Sequence, residues 1–199
     1  MTKTIMSPAR CLLLICCLLA APAFADEGLG AANSPVTMVE YSSFACGHCA
    51  DFHQNTLPRL MADYIDTGKL RYVMHVFPIR RFDVDAALLL SCAPEEKYYP
   101  LVASFFAYRH ALLGSNNPKD AIAWMSKRAG ITTAHADLCL NDMSRERALR
   151  RQVTTVSKRH GLTGTPGFVF NDGEAILAGN VPYETFAAQI DALIAKRQP

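Results

Sequence analysis

Several things are scarce in this chain, and each shortage excludes something. Nowhere among its 199 residues is there the run of about 20 apolar residues that a membrane-spanning helix needs; the longest, Cys11 to Ala25, covers 15 and is broken by Pro22. Charge of one sign is equally scarce: the formal net charge is +2, with 20 Lys plus Arg against 18 Asp plus Glu, so no field builds up to hold a polyanion, and no nucleic-acid partner is expected. There is no internal repeat and no low-complexity tract, which removes solenoids and disordered arrays. What remains is a half-hydrophobic sequence long enough to bury one substantial core, read as a single domain carrying an insertion.

The N-terminus stands apart. Lys3 and Arg10 precede the apolar run, which closes on Ala23-Phe24-Ala25 ahead of Asp26, the pattern of a secretory signal peptide cleaved after Ala25. An uncleaved anchor is the competing reading, disfavoured by the shortness of the run and by Pro22. Loss of Lys3 and Arg10 brings Lys plus Arg from 20 to 18, equal to the acidic count, so the mature chain is formally neutral. Of seven cysteines, Cys11, Cys16 and Cys17 go with the leader; Cys46, Cys49, Cys92 and Cys139 remain, an even set that in an exported protein suggests disulfide chemistry.

Hydrophobic periodicity supplies the setting. After a Gly/Ala/Asn-rich linker over 26–35, Val36 to Tyr41 reads as a buried strand, Cys46 to about Ile65 as a helix kinked by Pro58, and Leu70 to Phe77 as a second, parallel strand. Residues 81–142 read as wholly helical, with helices over roughly 84–93, 98–113, 119–129 and 133–140. A long basic helix follows, with Ser144 as expected N-cap and Gly161 as terminator; then a hairpin joins Gly167–Asn171 to Ala175–Ala178, and a last helix runs from about Pro182 to Lys196.

The segment Ser43-Phe44-Ala45-Cys46-Gly47-His48-Cys49 thus sits where a strand hands over to a helix. Unsatisfied N–H groups and the helix dipole favour negative charge there, which lowers a thiol's pKa and raises the fraction of attacking thiolate at Cys46. Cys49 lies one turn on, beneath Cys46, and can close a disulfide without strain. His48 adds an imidazole that attracts the thiolate when protonated, and Gly47 keeps the approach open. The pair could instead be half of a zinc site, but Cys92 and Cys139 are isolated and His53 is the only further ligand type close by, so redox use is favoured. Glu40, in an otherwise apolar strand, is either an exposed edge residue or a buried proton acceptor for Cys49. Gly164-Thr165-Pro166-Gly167 reads as a turn, and a proline opening a strand is a natural place for a cis peptide and an exposed backbone edge.

Taken together, the strand bearing Glu40, the CGHC segment, the proline-broken helix, the helical insertion, GTPGFVF, the hairpin and GNVPYETF resemble the DsbA-like family of exported thiol:disulfide oxidoreductases over about Val36 to Ala195. The resemblance implies an α/β, thioredoxin-like fold with an inserted all-helical subdomain, the thioredoxin-like part formed by 36–80 and 143–199 and the insertion by 81–142. It implies that Cys46 is the surface nucleophile, Cys49 the buried resolving thiol, Glu40 the acid beneath the site, and Thr165-Pro166 the cis-proline loop that packs on the active disulfide and pairs with extended substrate. It further implies reduced or unfolded exported proteins as substrates, a membrane quinone-linked thiol oxidase as reoxidant, a periplasmic location, and no cofactor or metal; a monomer is expected. Gly47 departs from the best-known bacterial oxidase, which has proline before the histidine. An isomerase or reductase of the same fold is the nearer alternative, although the ten residues Asp26 to Pro35 are too few for the dimerisation domain that exported isomerases carry ahead of the thioredoxin unit. A Cu(I)- or Zn-binding chaperone using Cys46, Cys49 and His48 or His53 is the alternative from another class. Cys92 and Cys139 are either two buried thiols or, as an oxidising compartment and an even count favour, a structural disulfide. Phe105, Phe106 and Trp124 are expected in the core, Phe44 and Val181 at the rim of the site, and Arg145, Arg147, Arg150 and Arg151 on a solvated face.

Overall fold

The computed structural model describes residues 28–115 and 117–197; the leader, 1–25, lies outside them. Five strands form one sheet: β1 (Gly28–Leu29), β2 (Val36–Ser42), β3 (Leu70–Val76), β4 (Gly167–Phe170) and β5 (Ala175–Ala178), in the order β1-β3-β2-β4-β5. β2 is central, parallel to β3 with Val36 opposite Leu70 and Ser42 opposite Val76, and antiparallel to β4 with Glu40 opposite Phe168. The strand β1 falls within the segment read as a linker. Its composition speaks for a loop, but the open edge of β3 offers unpaired N–H and C=O groups, and Gly28 and Leu29 pair antiparallel with Val73 and Tyr72. Gly30 then turns away at φ 91°, where a Cβ would lie 2.5 Å from the Leu70 carbonyl oxygen.

Alternation along β2 sends Val36, Met38, Glu40 and Ser42 to one buried face. That face meets the helix that follows it and the last helix, α9 (Tyr183–Ala195), around a cluster in which Phe52, Phe168 and Phe186 approach one another at 4.7–5.4 Å. The opposite face is covered by a smaller cluster of Phe77, Val156, Leu162 and Val169, to which α8 (Met143–His160) contributes Val156.

The helix after β2 is not simply kinked at Pro58. It begins as α1 (Gly47–Asp51), runs through a π-helical stretch Phe52–Thr56, continues as α2 (Leu57–Leu60), and ends in a second π-helical stretch Met61–Ile65. Pro58 has no N–H to give, and the preceding Leu57 N–H reaches back five residues to the Phe52 carbonyl.

Between β3 and α8 lie α3 (Arg81–Leu90), α4 (Tyr98–Ala107), α5 (Arg109–Leu113), α6 (Pro118–Arg128) and α7 (Thr133–Leu140). They share one continuous core with the sheet: Phe105 and Phe106 pack on Phe44 at ring separations of 4.8 and 4.9 Å. Three local expectations are revised, two by tertiary contacts and one by a neighbouring cap. The helix expected over 98–113 breaks at Tyr108, where the Tyr108 ring meets Trp124 edge-on at 4.7 Å; Trp124 is not in the core but 42% exposed, with the Arg128 guanidinium over its ring. Helix α8 is capped by Asp142 rather than Ser144, because the Asp142 carboxylate accepts from both the Ser144 and Arg145 N–H groups. The Ser144 hydroxyl and those N–H groups hold the Asp142 carboxyl down at about 2.

Candidate active site

The site is built on the four residues between β2 and α1. Two groups from the inserted helices clamp this loop. Asp83, fully buried in the first turn of α3, accepts from the Ser43 hydroxyl at 2.9 Å, the Ala45 N–H at 3.2 Å, and the N–H groups of Ile79 and Arg80 at 3.0 Å each. Arg109, the first residue of α5, donates from Nη2 to the Ala45 carbonyl at 2.8 Å. Phe44 is fully buried against Phe105 and Phe106. It therefore anchors the loop instead of forming the expected substrate rim; the pull of two aromatic neighbours, invisible in the sequence, decides its direction. Val181 is half-buried.

Cys46 and Cys49 are both free thiols. Cys46 occupies the cap position of α1 with extended backbone (φ −84°, ψ 125°), so its side chain stands at the dipole end of the helix, half-buried. Its Sγ donates to the Thr165 carbonyl at 3.4 Å, and Thr165-Pro166 is a cis peptide. Segments 119 residues apart in sequence thus meet at the thiol. Gly47 and His48 are exposed beside it.

Cys49 is fully buried. Burial pushes its thiol well up from the ordinary 9.0, and the Glu40 carboxylate pushes further; the Ser42 hydroxyl and the Ser43 backbone pull part of the way back. The two thiols of one short segment therefore live in different surroundings: one half-exposed at a helix terminus, one protonated in the interior.

Glu40 lies on the central strand and is fully buried, which removes the reading of an exposed edge residue. Its Oε2 accepts from His53 Nε2 at 2.9 Å and from the Tyr72 hydroxyl; its Oε1 has no partner among the described residues. His53 is itself nearly buried and stacks on Phe106 at 4.0 Å. Burial first, and the Glu40 charge next, hold the Tyr72 phenol far above 10.0, so it stays a donor.

The sequence does not by itself pair His53 and Tyr72 with Glu40. The signals exist: His53 is four residues after Cys49, one helical turn on, and Tyr72 stands opposite Met38, on the same face of the sheet as Glu40. Asp83 and Arg109 carry no such local signal, because both reach the loop from helices distant in sequence.

Cys92 and Cys139 are bonded to each other across a Cα–Cα distance of 6.2 Å and a sequence separation of 47, joining the turn after α3 to α7. Among the described residues, the group with metal-ligand spacing is Cys92, His135 and Cys139, whose donor atoms lie within 4.8 Å of one another, and two of those donors are taken by the disulfide. His53, considered as a third ligand for Cys46 and Cys49, has Nε2 engaged by Glu40.

Comparison with known proteins gives a consistent result. The family model described as Thioredoxin matches residues 25–192. Among solved structures, α-DsbA1 of Wolbachia pipientis is 26% identical, with 89% of this chain and 95% of that chain covered and a TM-score of 0.78. BdbD of Bacillus subtilis, at 15% identity and a TM-score of 0.69 over 85% of this chain and 93% of its own, shares the fold. A Rickettsia conorii protein provisionally named a protein-disulfide oxidoreductase is 29% identical over 174 residues, which are 87% of this chain and 62% of that protein; this chain spans less than two thirds of the curated relatives it matches. A strand-to-helix CGHC loop set against a cis-proline turn, in a fold this close to α-DsbA1 and under a family match from residue 25 to 192, means that the chain belongs to the thioredoxin family as one of its DsbA-like members.

Proposed function

We propose that this chain is an exported thiol:disulfide oxidoreductase that introduces disulfide bonds into folding proteins. The observation that carries the proposal is the asymmetry of the dithiol: Cys46 half-buried at a helix terminus against the Thr165 carbonyl, and Cys49 buried above Glu40.

The chemistry follows from that asymmetry. With the pair oxidised, a substrate thiolate attacks Cys46 Sγ, the Cys46–Cys49 bond breaks, and Cys49 leaves as a thiolate that takes up a proton. A second substrate thiolate then attacks the substrate sulfur of the mixed disulfide, and Cys46 leaves as a thiolate. Two electrons have passed from the substrate dithiol to the pair. Leaving is favoured where the thiolate is stabilised, and the α1 terminus and His48, when protonated, supply that at Cys46. In the return direction Cys49 must lose its proton to attack, and Glu40, held on Oε2 by His53 and Tyr72 with Oε1 unpartnered among the described residues, is the acceptor within its surroundings. The Thr165-Pro166 loop, beside Cys46 at the start of β4, offers backbone to an extended substrate segment.

Reduced or unfolded exported proteins are the proposed substrates and a membrane quinone-linked thiol oxidase the proposed reoxidant, with the chain acting as a monomer in the periplasm. The leader over 1–25 supports export, and the family match begins where it ends. No helix among the described residues is long and apolar enough to cross a membrane.

The test uses the purified, oxidised protein and a reduced, unfolded substrate with two cysteines. Oxidation of the substrate is expected, lost in Cys46→Ala, with Cys49→Ala accumulating mixed disulfides at Cys46. Failure to oxidise the substrate, or a potential as low as that of a cytosolic reductase, overturns the reading.

A further inference from the structure

The guanidinium of Arg109 lies beside the loop that carries the nucleophile. Its Nη2 donates to the carbonyl of Ala45, the residue before Cys46, and a Cβ built on Gly47, the residue after it, would meet the same Nη2 at 3.9 Å. Its Nε–H is buried and makes no hydrogen bond among the described residues. An unpaired buried N–H of a guanidinium costs free energy, and an anion forming close by offsets that cost. Reduction of the pair creates one: the Cys46 thiolate.

We propose that Arg109, carried in by the inserted helices, is the positioning residue that stabilises the Cys46 thiolate and so sets how strongly oxidising the CGHC centre is. The inference rests on the oxidoreductase reading and adds to it a control exerted by the insertion. The placement depends on the break at Tyr108, which ends α4 and makes Arg109 the first residue of α5.

Four other charged or titratable groups bear on Cys46. His48 is exposed on the same turn. Cys49 and Glu40 lie beneath, in the interior. Asp83 is, among the described residues, the one carboxylate bonded to the same loop, and its charge is spread over four donors. Arg109 is thus the cation of the set that stays charged at every working pH.

Ultraviolet absorbance of the thiolate, followed against pH in the reduced protein, reads the Cys46 titration directly, and equilibration with the glutathione couple reads its consequence. In Arg109→Gln the thiolate titration is expected to move to higher pH and the oxidising equilibrium constant to fall about tenfold, the size of one pK unit. Arg109→Lys, which keeps the charge and loses the planar fork, is expected to stay within about threefold of the parent. Arg109→Met, which keeps the apolar stem, serves as a second neutral variant and should behave as Arg109→Gln does. The proposal is overturned if the neutral variants titrate with the parent, or if Arg109→Lys and the neutral variants shift alike, since a merely structural clamp would do that. A protein that shows the titration shift on mutation but whose parent oxidises no substrate would sink the oxidoreductase reading and leave the role of Arg109 standing.

Discussion

The substitution Glu40→Gln separates the two things this carboxylate does to Cys49. Its charge raises the Cys49 pKa, which hinders ionisation; its free Oε1 can take the proton, which helps attack. Burial, however, is the larger cause of the raised pKa, and it survives the substitution. With an amide in place of the carboxylate, the thiol remains protonated at neutral pH and has lost its acceptor, so the net effect is a slower attack by Cys49. General-base assistance is typically worth about 10²–10⁴-fold, and because the relief of charge repulsion offsets part of the loss, a reduction of about 10²-fold is expected. The amide keeps the volume and still accepts from His53 and Tyr72, though without the strength of a charged acceptor, and sheds the desolvation cost of the carboxylate; stability should change by no more than about 1–2 kcal/mol. The assay is reaction of the reduced protein with oxidised glutathione, quenched in acid, alkylated and weighed by mass spectrometry. The parent passes through the Cys46–glutathione adduct without accumulating it, whereas Glu40→Gln should accumulate it and resolve it faster as pH rises. An adduct that resolves at the parental rate near neutral pH would refute a proton-accepting role for Glu40.

Two further outcomes follow from the cysteines. The double replacement Cys92→Ala/Cys139→Ala removes a cross-link over 47 residues, worth at most about 4 kcal/mol in the chain-entropy account, so the urea midpoint should fall while substrate oxidation at Cys46 is retained. Cys49, with a folded-state pKa above its ordinary 9.0, binds a proton in the folded chain that the unfolded chain has lost; the reduced protein should therefore be fully supported by this group below that ordinary value and lose stability as pH rises beyond it. The oxidised protein has no such proton, so the decline should appear as a difference between parallel alkaline denaturation series, and equal slopes would contradict the burial of Cys49 as a thiol.

Much of this molecule could be read locally. The strand through Glu40, the helix after it, the thiol spacing and the proline before β4 all declare themselves within a few residues, because periodicity, caps and the missing N–H of proline act at short range. The exceptions share a cause. Phe44 turns inward because Phe105 and Phe106 are there to receive it, the 98–113 helix breaks where Tyr108 finds Trp124, and Glu40 acquires Tyr72 only once the sheet pairs β2 with β3 and His53 only once the following helix packs over that face. Each is a contact between distant segments. The same holds for the loop that carries Cys46: its backbone is held by Asp83 from α3 and Arg109 from α5, neither of which belongs to the strand-helix unit that delivers the thiols. A bare thioredoxin unit bearing CGHC would keep the helix terminus and the cis-proline turn, yet lack both clamps and the guanidinium beside the nucleophile. The four-residue motif therefore identifies the chemistry, and if Arg109 adds to the α1 terminus and His48 as proposed, two chains with identical CGHC segments should differ in oxidising power wherever the residue corresponding to Arg109 differs in charge.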